Sequence, residues 1–457
     1  MIQSDKNMHF IGIGGIGMSA IALVLLKMGY RVSGSDLGPN NLTERLLAEG
    51  ARICSGHDCG NIPPETGLVV YSSSINELNP EIQEARKRGI PIVKRAQVLA
   101  ELLNDKKGIA VTGTHGKTTT SSLISVMLEK CGLDPTAIIG GEVELFKGNS
   151  KYGKGENVVV EADESDGSFL YLKPFYSVIT NVEMEHIDYY KTLDDAIDSY
   201  AAFANNTKRG GYLFYNAEDA NITKVLKKFS GKKESFGLSK GADIYPHEIV
   251  MNEFYTSYVC VYKNEVIGRV SLRIPGRHNV LNSLAAILVG FKLGLSFENI
   301  CRSIQDFSGT KRRFHLRADV DGVMLIDDYA HHPTEIRAVL DACSNWKEKR
   351  VIVVFQPHRY TRTKFLAEEF GRCFKGADKL ILTDIYAASE EPIEGVSVKN
   401  IYDRVKLHGL RDVTMMNKES VARHIMDMKK SGDMIVVLGA GDIKEVSDEL
   451  SEKLNKR

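Results

Sequence analysis

An α/β fold divided into three domains is what this sequence predicts, and three observations carry it. Short apolar runs alternate with helix-period segments along most of the chain, the pattern of parallel strands joined by crossover helices. Glycine turns at 12–17 and 113–116 each follow a predicted strand and lead into a helix. A length of 457 residues exceeds one ordinary core and fits about three domains of roughly 150 residues.

Taken in order, the first elements are a strand at 8–12, a helix at 18–28, a strand at 31–33 and another at 67–71 before a triple-serine turn. The polar run Asn104-Asp105-Lys106-Lys107-Gly108 marks a linker, so the first domain is set at 1–106. The second, 107–312, opens with a strand at 109–112 and a helix whose apolar period begins at Leu123. Strands at 157–161 and 177–180 follow, then an apolar–polar alternation over 243–275 that reads as antiparallel, and a helix at 279–293. Arg312 and Arg313 lead into the third domain, 313–457. Its strands are expected at 323–326, 351–355, 379–383 and 434–438, with helices at 333–342 and 363–374.

Composition narrows the partners. The 59 basic side chains match 59 acidic ones, which gives no electrostatic reason to expect nucleic acid or an anionic membrane. No run approaches the ~18 apolar residues of a membrane span. The first residues, MIQSDKNMHFIGIGG, lack the marks of a secretory leader. Seven scattered cysteines without a C-x-x-C pair argue against a zinc site or a disulfide framework and fit a reducing compartment. A soluble, cytoplasmic protein is expected.

The strongest local signal is Gly113-Thr114-His115-Gly116-Lys117-Thr118-Thr119 between strand and helix. Backbone N–H groups at such a turn, together with the positive helix N-terminus, cradle phosphates, and Lys117 reaches the β/γ-phosphates. Thr118 is placed to offer its hydroxyl to Mg²⁺. The glycine of the usual longer motif is replaced by Val111, so the loop is a shortened variant. The earlier turn, Gly12-Ile13-Gly14-Gly15-Ile16-Gly17 with Asp36 after the second strand, matches the dinucleotide fingerprint. That geometry binds any diphosphate, whether of a nicotinamide cofactor or of a nucleotide sugar.

Acids and cations cluster at predicted strand ends. Glu161-Ala162-Asp163-Glu164-Ser165-Asp166 follows one strand, opposite the phosphate loop, where carboxylates commonly hold Mg²⁺. Asn181, Glu183, Glu185, His186 and Asp188 follow the next. In the third domain Asp327-Asp328-Tyr329-Ala330-His331-His332-Pro333 and Gln356-Pro357-His358-Arg359-Tyr360-Thr361-Arg362 end two strands. Arginines flanking an aromatic there suit carboxylate or phosphate recognition.

GTHGKTTT at 113–120, EADESD at 161–166, PGRHNVLNSLAA at 275–286, RRF at 312–314 and DDYAHHPTE at 327–335 resemble, in order, the signature of the Mur ligase family. GIGGIGMSAIA at 12–22 and FQPHRYTRT at 355–363 are similar to its alanine-adding branch. The resemblance covers essentially the whole chain. It implies a Rossmann-like N-terminal domain for a UDP-sugar, a central P-loop-type domain for ATP, and a Rossmann-like C-terminal domain for the amino acid. The implied reaction activates the lactyl carboxylate of UDP-N-acetylmuramate as an acyl phosphate, which the amine of L-alanine then attacks.

The resemblance also implies roles. Thr118 and Glu161 resemble ligands of one Mg²⁺ and His186 of a second, with Mn²⁺ an alternative. Gly113 to Thr119, Asn279, Asn282, Arg313 and Asp327 resemble the ATP contacts. Gly14, Gly15, Ile16, Gly17, Asp36, Ser72 and Ser73 fall where the family holds the nucleotide sugar. Tyr329, His331, His358, Arg359 and Arg362 resemble the group that meets the alanine and the reacting carboxylate. The catalytic set expected is Lys117, Glu161, His186, His331 and Arg359. A monomer or weak homodimer is expected.

One departure stands out. Several sister ligases bridge their metals with a carbamylated lysine on the helix after the histidine, and the corresponding stretch 194–206 contains no lysine. Two other readings stay open: a sister ligase that attaches a recycled tripeptide to the same sugar, and an NAD-dependent dehydrogenase built on residues 12–36.

Overall fold

Residues 6–456 are described by the computed structural model, which contains three sheets. The first has strands β1 Asn7–Ile11, β2 Arg31–Asp36, β3 Arg52–Ser55, β4 Leu68–Tyr71 and β5 Ile92–Lys94. All pair in parallel, in the order β3-β2-β1-β4-β5. Helices α1 Ile16–Lys27, α2 Asn41–Ala48, α3 Pro80–Lys87 and α4 Arg95–Asn104 connect them. β1 and β4 are covered on both faces (Met8, Phe10, Ile11, Val69 and Val70 are all buried), which is why they read as unbroken apolar runs. The strand order reverses between β1 and β4, and a crevice opens at the carboxyl ends of strands at such a switch point.

The second sheet has ten strands: β6 Lys107–Thr112, β7 Thr136–Val143, β8 Gly148–Lys151, β9 Asn157–Glu161, β10 Tyr176–Ile179, β11 Tyr212–Asn216, β12 Lys233–Phe236, β13 Ile244–Asn252, β14 Tyr255–Tyr262 and β15 Glu265–Leu272. Their order is β15-β14-β13-β12-β11-β10-β6-β9-β7-β8. β6 lies between β9 and β10, parallel to both. The expected antiparallel stretch is β13 to β15, adjacent strands joined at Glu253-Phe254 and Lys263-Asn264. The helices are α5 Lys117–Lys130, α6 Leu193–Asn205, α7 Ala220–Leu226, α8 Arg277–Lys292 and α9 Phe297–Gln305.

The third sheet has strands β16 His315–Val320, β17 Val323–Asp328, β18 Arg350–Phe355, β19 Lys379–Leu382, β20 Val413–Met415 and β21 Asp433–Leu438. In the order β16-β17-β21-β18-β19-β20, β16 alone runs antiparallel. Its helices are α10 Pro333–Cys343, α11 Tyr360–Phe365, α12 Ala367–Cys373, α13 Val398–Leu407, α14 Lys418–Met428 and α15 Lys444–Asn455. Two apolar layers cover it, one around Ile326, Phe355, Phe370 and Leu438, the other around Leu325, Ile352, Ile435 and Leu450.

The chain divides into two compact units. One runs to His247 and includes Val259–Val270 and Leu281–Phe307; the other is Glu248–Tyr258, Ser271–Val280 and everything from Ser308. The first and second sheets thus lie largely in one unit and the third in the other.

Two elements differ from expectation. α5 begins at Lys117, six residues before the apolar period begins at Leu123. Its first turns carry Thr118, Thr119, Thr120, Ser121 and Ser122, all buried. Ser121 donates to the Lys117 carbonyl (2.9 Å), Ser122 to Thr118 (2.6 Å) and Ser125 to Ser121 (2.7 Å). Hydroxyls that satisfy themselves on the preceding turn can be buried like apolar groups. The single helix expected at 363–374 is two, α11 and α12, starting at Tyr360 and meeting at Leu366, whose φ of −107° leaves the helical range.

Candidate active site

β6 ends at Thr112 and the turn to α5 takes four residues. Gly113 (φ +135°) and Gly116 (φ +83°) sit where L side chains rarely go, and a Cβ on Gly113 would lie 2.0 Å from Thr180 Oγ1. The neighbouring strand end fixes the turn. Thr180 Oγ1 and Asn181 Nδ2 donate to the His115 carbonyl at 2.5 and 3.0 Å, and His115 N donates to Asn181 Oδ1 at 2.8 Å. Asn282 on α8 accepts from Thr120 Oγ1 at 3.1 Å, and its Oδ1 would lie 2.8 Å from a Cβ on Gly116. The side chain of Asn282 therefore reaches the phosphate loop. Asn279 belongs to the other unit, where its amide donates to the Pro275 carbonyl at 2.7 Å.

Lys117 Nζ donates to the Gly113 carbonyl (2.6 Å), the Thr114 carbonyl (3.2 Å) and Glu164 Oε1 (2.8 Å). Burial works against its charge, but the carboxylates of Glu164, Asp163 and Glu161 outweigh it and hold the ammonium above the usual lysine range. Thr118 Oγ1 donates to Glu161 Oε1 at 3.1 Å, and the other oxygen of Glu161 accepts Gly140 N at 2.7 Å. His186 has a left-handed φ of +54°, and its Nε2 lies 3.5 Å from Glu164 Oε1. Glu164, 2% exposed, joins Lys117 to His186, and its Oε2 is buried without a hydrogen-bond partner. The segment 161–166 was legible as acidic, but which of its carboxylates faces the lysine depends on the turn that follows β9.

The first sheet gathers the other glycine turn. Gly12 N and Ile13 N donate to the Ser35 carbonyl at 2.9 and 3.0 Å, and Gly14 N donates to Asp36 Oδ2 at 2.7 Å. A Cβ on Gly14 would lie 2.7 Å from Asn40 Nδ2, and one on Gly17 2.8 Å from Arg95 Nη1. Gly15 caps the start of α1, Ile16 is exposed, Ser72 is half-buried after β4 and Ser73 is exposed. Arg95 also lies 3.9 Å from Asp163. Nothing in the sequence around Arg95 signals that it stands beside a glycine turn.

In the third sheet the predicted residues stand at the carboxyl ends of β17 and β18, the two strands that flank β21. Asp327 is buried between Arg312 Nε (3.6 Å) and Arg317 Nη1 (3.7 Å). Burial pushes its carboxyl up, opposed by those two guanidinium groups. Arg313 instead faces Glu335 at 3.5 Å. Arg312 and Arg313 both lie over the Tyr329 ring, at 5.1 and 5.3 Å. Burial also raises Asp328 to about 6, although it accepts Phe314 N (2.6 Å) and Ala330 N (2.7 Å). His331 packs edge-on to Tyr329 (5.4 Å) and lies 5.6 Å from the His358 ring. Arg362 Nη1 donates to the His358 carbonyl at 3.0 Å and meets its Nδ1 at 3.1 Å. Tyr329, His331, His358, Arg359 and Arg362 thus fall in one neighbourhood.

Comparison with known proteins finds three family domains along the chain. Residues 7–107 match the model described as Mur ligase family, catalytic domain; 111–290 match the Mur ligase middle domain; and 312–441 match the Mur ligase, glutamate ligase domain. The UDP-N-acetylmuramate–L-alanine ligase of Geotalea daltonii is 45% identical over 457 residues, covering 100% of both chains. That of Pelotomaculum thermopropionicum is 44% identical, covering 100% of this chain and 99% of its own. Among solved structures, the UDP-N-acetylmuramate–alanine ligase of Thermotoga maritima superposes with a TM-score of 0.84 at 29% identity, covering 98% of each chain. A murein peptide ligase from Psychrobacter arcticus shares the fold, with a TM-score of 0.73 at 23% identity over 99% of each chain.

Proposed function

This chain belongs to the Mur ligase family, and from that premise we propose that it joins L-alanine to the lactyl carboxylate of UDP-N-acetylmuramate at the expense of ATP. One observation carries the reading: Lys117 and Thr118 open a helix at a glycine turn, facing Glu164 and Glu161. A carboxylate is a poor electrophile, and a phosphate on its oxygen gives the amine a carbonyl it can attack. The carboxylate oxygen displaces ADP from the γ-phosphorus, giving an acyl phosphate. The alanine nitrogen then adds to that carbonyl, loses its proton, and inorganic phosphate leaves.

The residues divide this work. Lys117 and the N–H groups of Gly113 to Thr119 neutralise the phosphates where two anions must meet. Asn282 is fixed against the same loop, and the family resemblance assigns ATP contacts to Asn279, Arg313 and Asp327 as well. Thr118 and Glu161 would hold one Mg²⁺, and His186 with Glu164 a second. A buried carboxylate oxygen without a partner, Glu164 Oε2, fits a cation there. When bound, such ions offset the charge of the phosphoryl group in transfer, and the imidazole would also accept Mn²⁺. Gly14 to Gly17, Asp36, Ser72 and Ser73 hold the nucleotide sugar, and Tyr329, His331, His358, Arg359 and Arg362 the amino acid. Domain limits of 1–106, 107–312 and 313–457, and a cytoplasmic monomer or weak homodimer, belong to the same reading. Among the described residues no helix is long and apolar enough to cross a membrane, and all seven cysteines are free thiols.

The tripeptide-adding and dehydrogenase readings have less support. Full-length relatives at 44–45% identity bear the alanine ligase name, and a cofactor dehydrogenase leaves Lys117 and Glu161 without a task. Phosphate release from ATP, Mg²⁺ and UDP-N-acetylmuramate should require L-alanine and proceed poorly with other amino acids or a tripeptide. Release with the tripeptide alone would transfer the assignment to the sister enzyme.

A further inference from the structure

Arg359 has φ +72° and ψ 141°, a conformation that a non-glycine residue adopts only at a cost, and it stands at the junction of the β18 end and α11. Such strain persists where the surroundings over-determine it, and it gathers at sites where a side chain must point one way. The surroundings here are a returning loop, 384–390. Arg359 N donates to the Tyr386 carbonyl and Tyr386 N to the Pro357 carbonyl, each at 2.8 Å. The Tyr386 ring stacks on His358 at 5.6 Å and 25°. Two consecutive left-handed residues, Ala388 (φ +49°) and Ser389 (φ +68°), then turn the chain so that Glu390 comes back beneath α11.

Glu390 is 16% exposed and takes both donors at the helix start: Thr361 N gives to Oε2 at 3.0 Å and Thr361 Oγ1 to Oε1 at 2.6 Å. The same Oε1 lies 3.7 Å from Arg359 Nη1, whose side chain is 38% exposed. The carboxylate is thus pinned by the helix, and the guanidinium is held by the carboxylate while keeping part of its surface open. A planar guanidinium offers several donors, so one edge can face a fixed carboxylate while the other takes a ligand carboxylate.

We propose that Glu390 is a positioning residue for the amino-acid step: it aims the Arg359 guanidinium at the carboxylate of the incoming amino acid and so sets the apparent affinity for that substrate. The inference rests on the ligase reading above. Glu390 acts through Arg359 and need not touch the substrate.

The test compares Glu390→Gln, Arg359→Ala and the double variant with the wild-type enzyme, reading KM for L-alanine, ATP and UDP-N-acetylmuramate together with the thermal midpoint. Glutamine keeps an oxygen and an amide for Thr361 but removes the charge that orients Arg359. The expected result is a rise of about tenfold or more in KM for L-alanine, with the other two KM values within about twofold and the midpoint unchanged. In the Arg359→Ala background, Glu390→Gln should add nothing. An alanine KM within about twofold of wild type overturns the proposal. So do additive effects, or a parallel rise in all three KM values with a lowered midpoint, which is what a helix cap alone would give. A wild-type enzyme that releases no phosphate with L-alanine would instead overturn the ligase reading, before any variant is measured.

Discussion

Gly113 shows how much a single position can decide. Its φ of +135° suits glycine, and an added Cβ would lie 2.0 Å from Thr180 Oγ1 and 3.0 Å from the backbone of Asn181. Neither neighbour can give way freely, because Thr180 and Asn181 hold the His115 carbonyl. Gly113→Ala should therefore displace the phosphate loop, and a displacement near 1 Å costs on the order of a hundredfold in rate. The expected outcome is a drop of about that size in kcat/KM for ATP, measured by coupled ADP release, with a smaller change in the KM for UDP-N-acetylmuramate. An alanine variant of near wild-type activity would mean that the loop tolerates the shift. Residues such as Lys117, Thr118 and Glu161 were legible because their chemistry is written in contiguous motifs. Glu164, Arg95 and Glu390 were not, since each acquires its neighbour from a distant stretch of chain. Which of two adjacent arginines meets Asp327 has the same origin: Arg312 faces Asp327 and Arg313 faces Glu335, a choice made by a turn that sequence does not reveal.

Among elements, strands that run through a covered sheet were legible from apolar runs, while α5 was partly masked by hydroxyls that bond to the preceding turn. The first sheet holds a feature no periodicity displays. Glu81 on α3, fully buried, accepts His9 Nε2 (2.8 Å), Ser35 Oγ (2.8 Å) and Asn61 Nδ2 (3.0 Å), and so ties β1, β2 and the turn after β3 to one carboxylate. Because the Ser35 carbonyl also receives Gly12 N and Ile13 N, this cluster forms the floor of the first glycine turn. Burial raises the pKa of Glu81, but the bonds from His9, Asn61 and Ser35 outweigh it and leave it below the usual glutamate range. A carboxyl lowered in the folded protein binds fewer protons there than in the unfolded chain. Its stabilisation is therefore complete above the unfolded value near ~4.3 and is lost as pH falls through the folded one. Glu81→Ala leaves the buried imidazole and hydroxyl without their acceptor and should cost about 3–5 kcal/mol at neutral pH. Urea unfolding at pH 7 and at progressively lower pH measures both. A loss below about 1 kcal/mol, or a deficit that does not shrink on acidification, would show that the cluster is not the anchor described.

At the scale of the whole chain, the two glycine turns stand on different sheets, each at the carboxyl end of a central strand flanked by parallel neighbours. Alone, residues 12–36 read as a cofactor-binding dehydrogenase motif, and residues 109–120 read as any nucleotide triphosphatase. Only their presence in one chain with the acidic and arginine motifs makes a ligase of them. Separate cradles should fail separately. Lys117, proposed to neutralise phosphates at the second sheet, bonds to the Gly113 and Thr114 carbonyls and to Glu164 rather than to residues 12–17, Asp36 or Ser72. Lys117→Ala is therefore expected to abolish turnover, since charge stabilisation of a transferring phosphoryl group supplies factors of a hundred or more. Calorimetric titration of the same variant with UDP-N-acetylmuramate should give a Kd within about threefold of wild type. Should sugar binding vanish together with turnover while the variant remains folded, the two turns would be serving a single ligand, and the separation of nucleotide sites on which the ligase reading depends would be wrong.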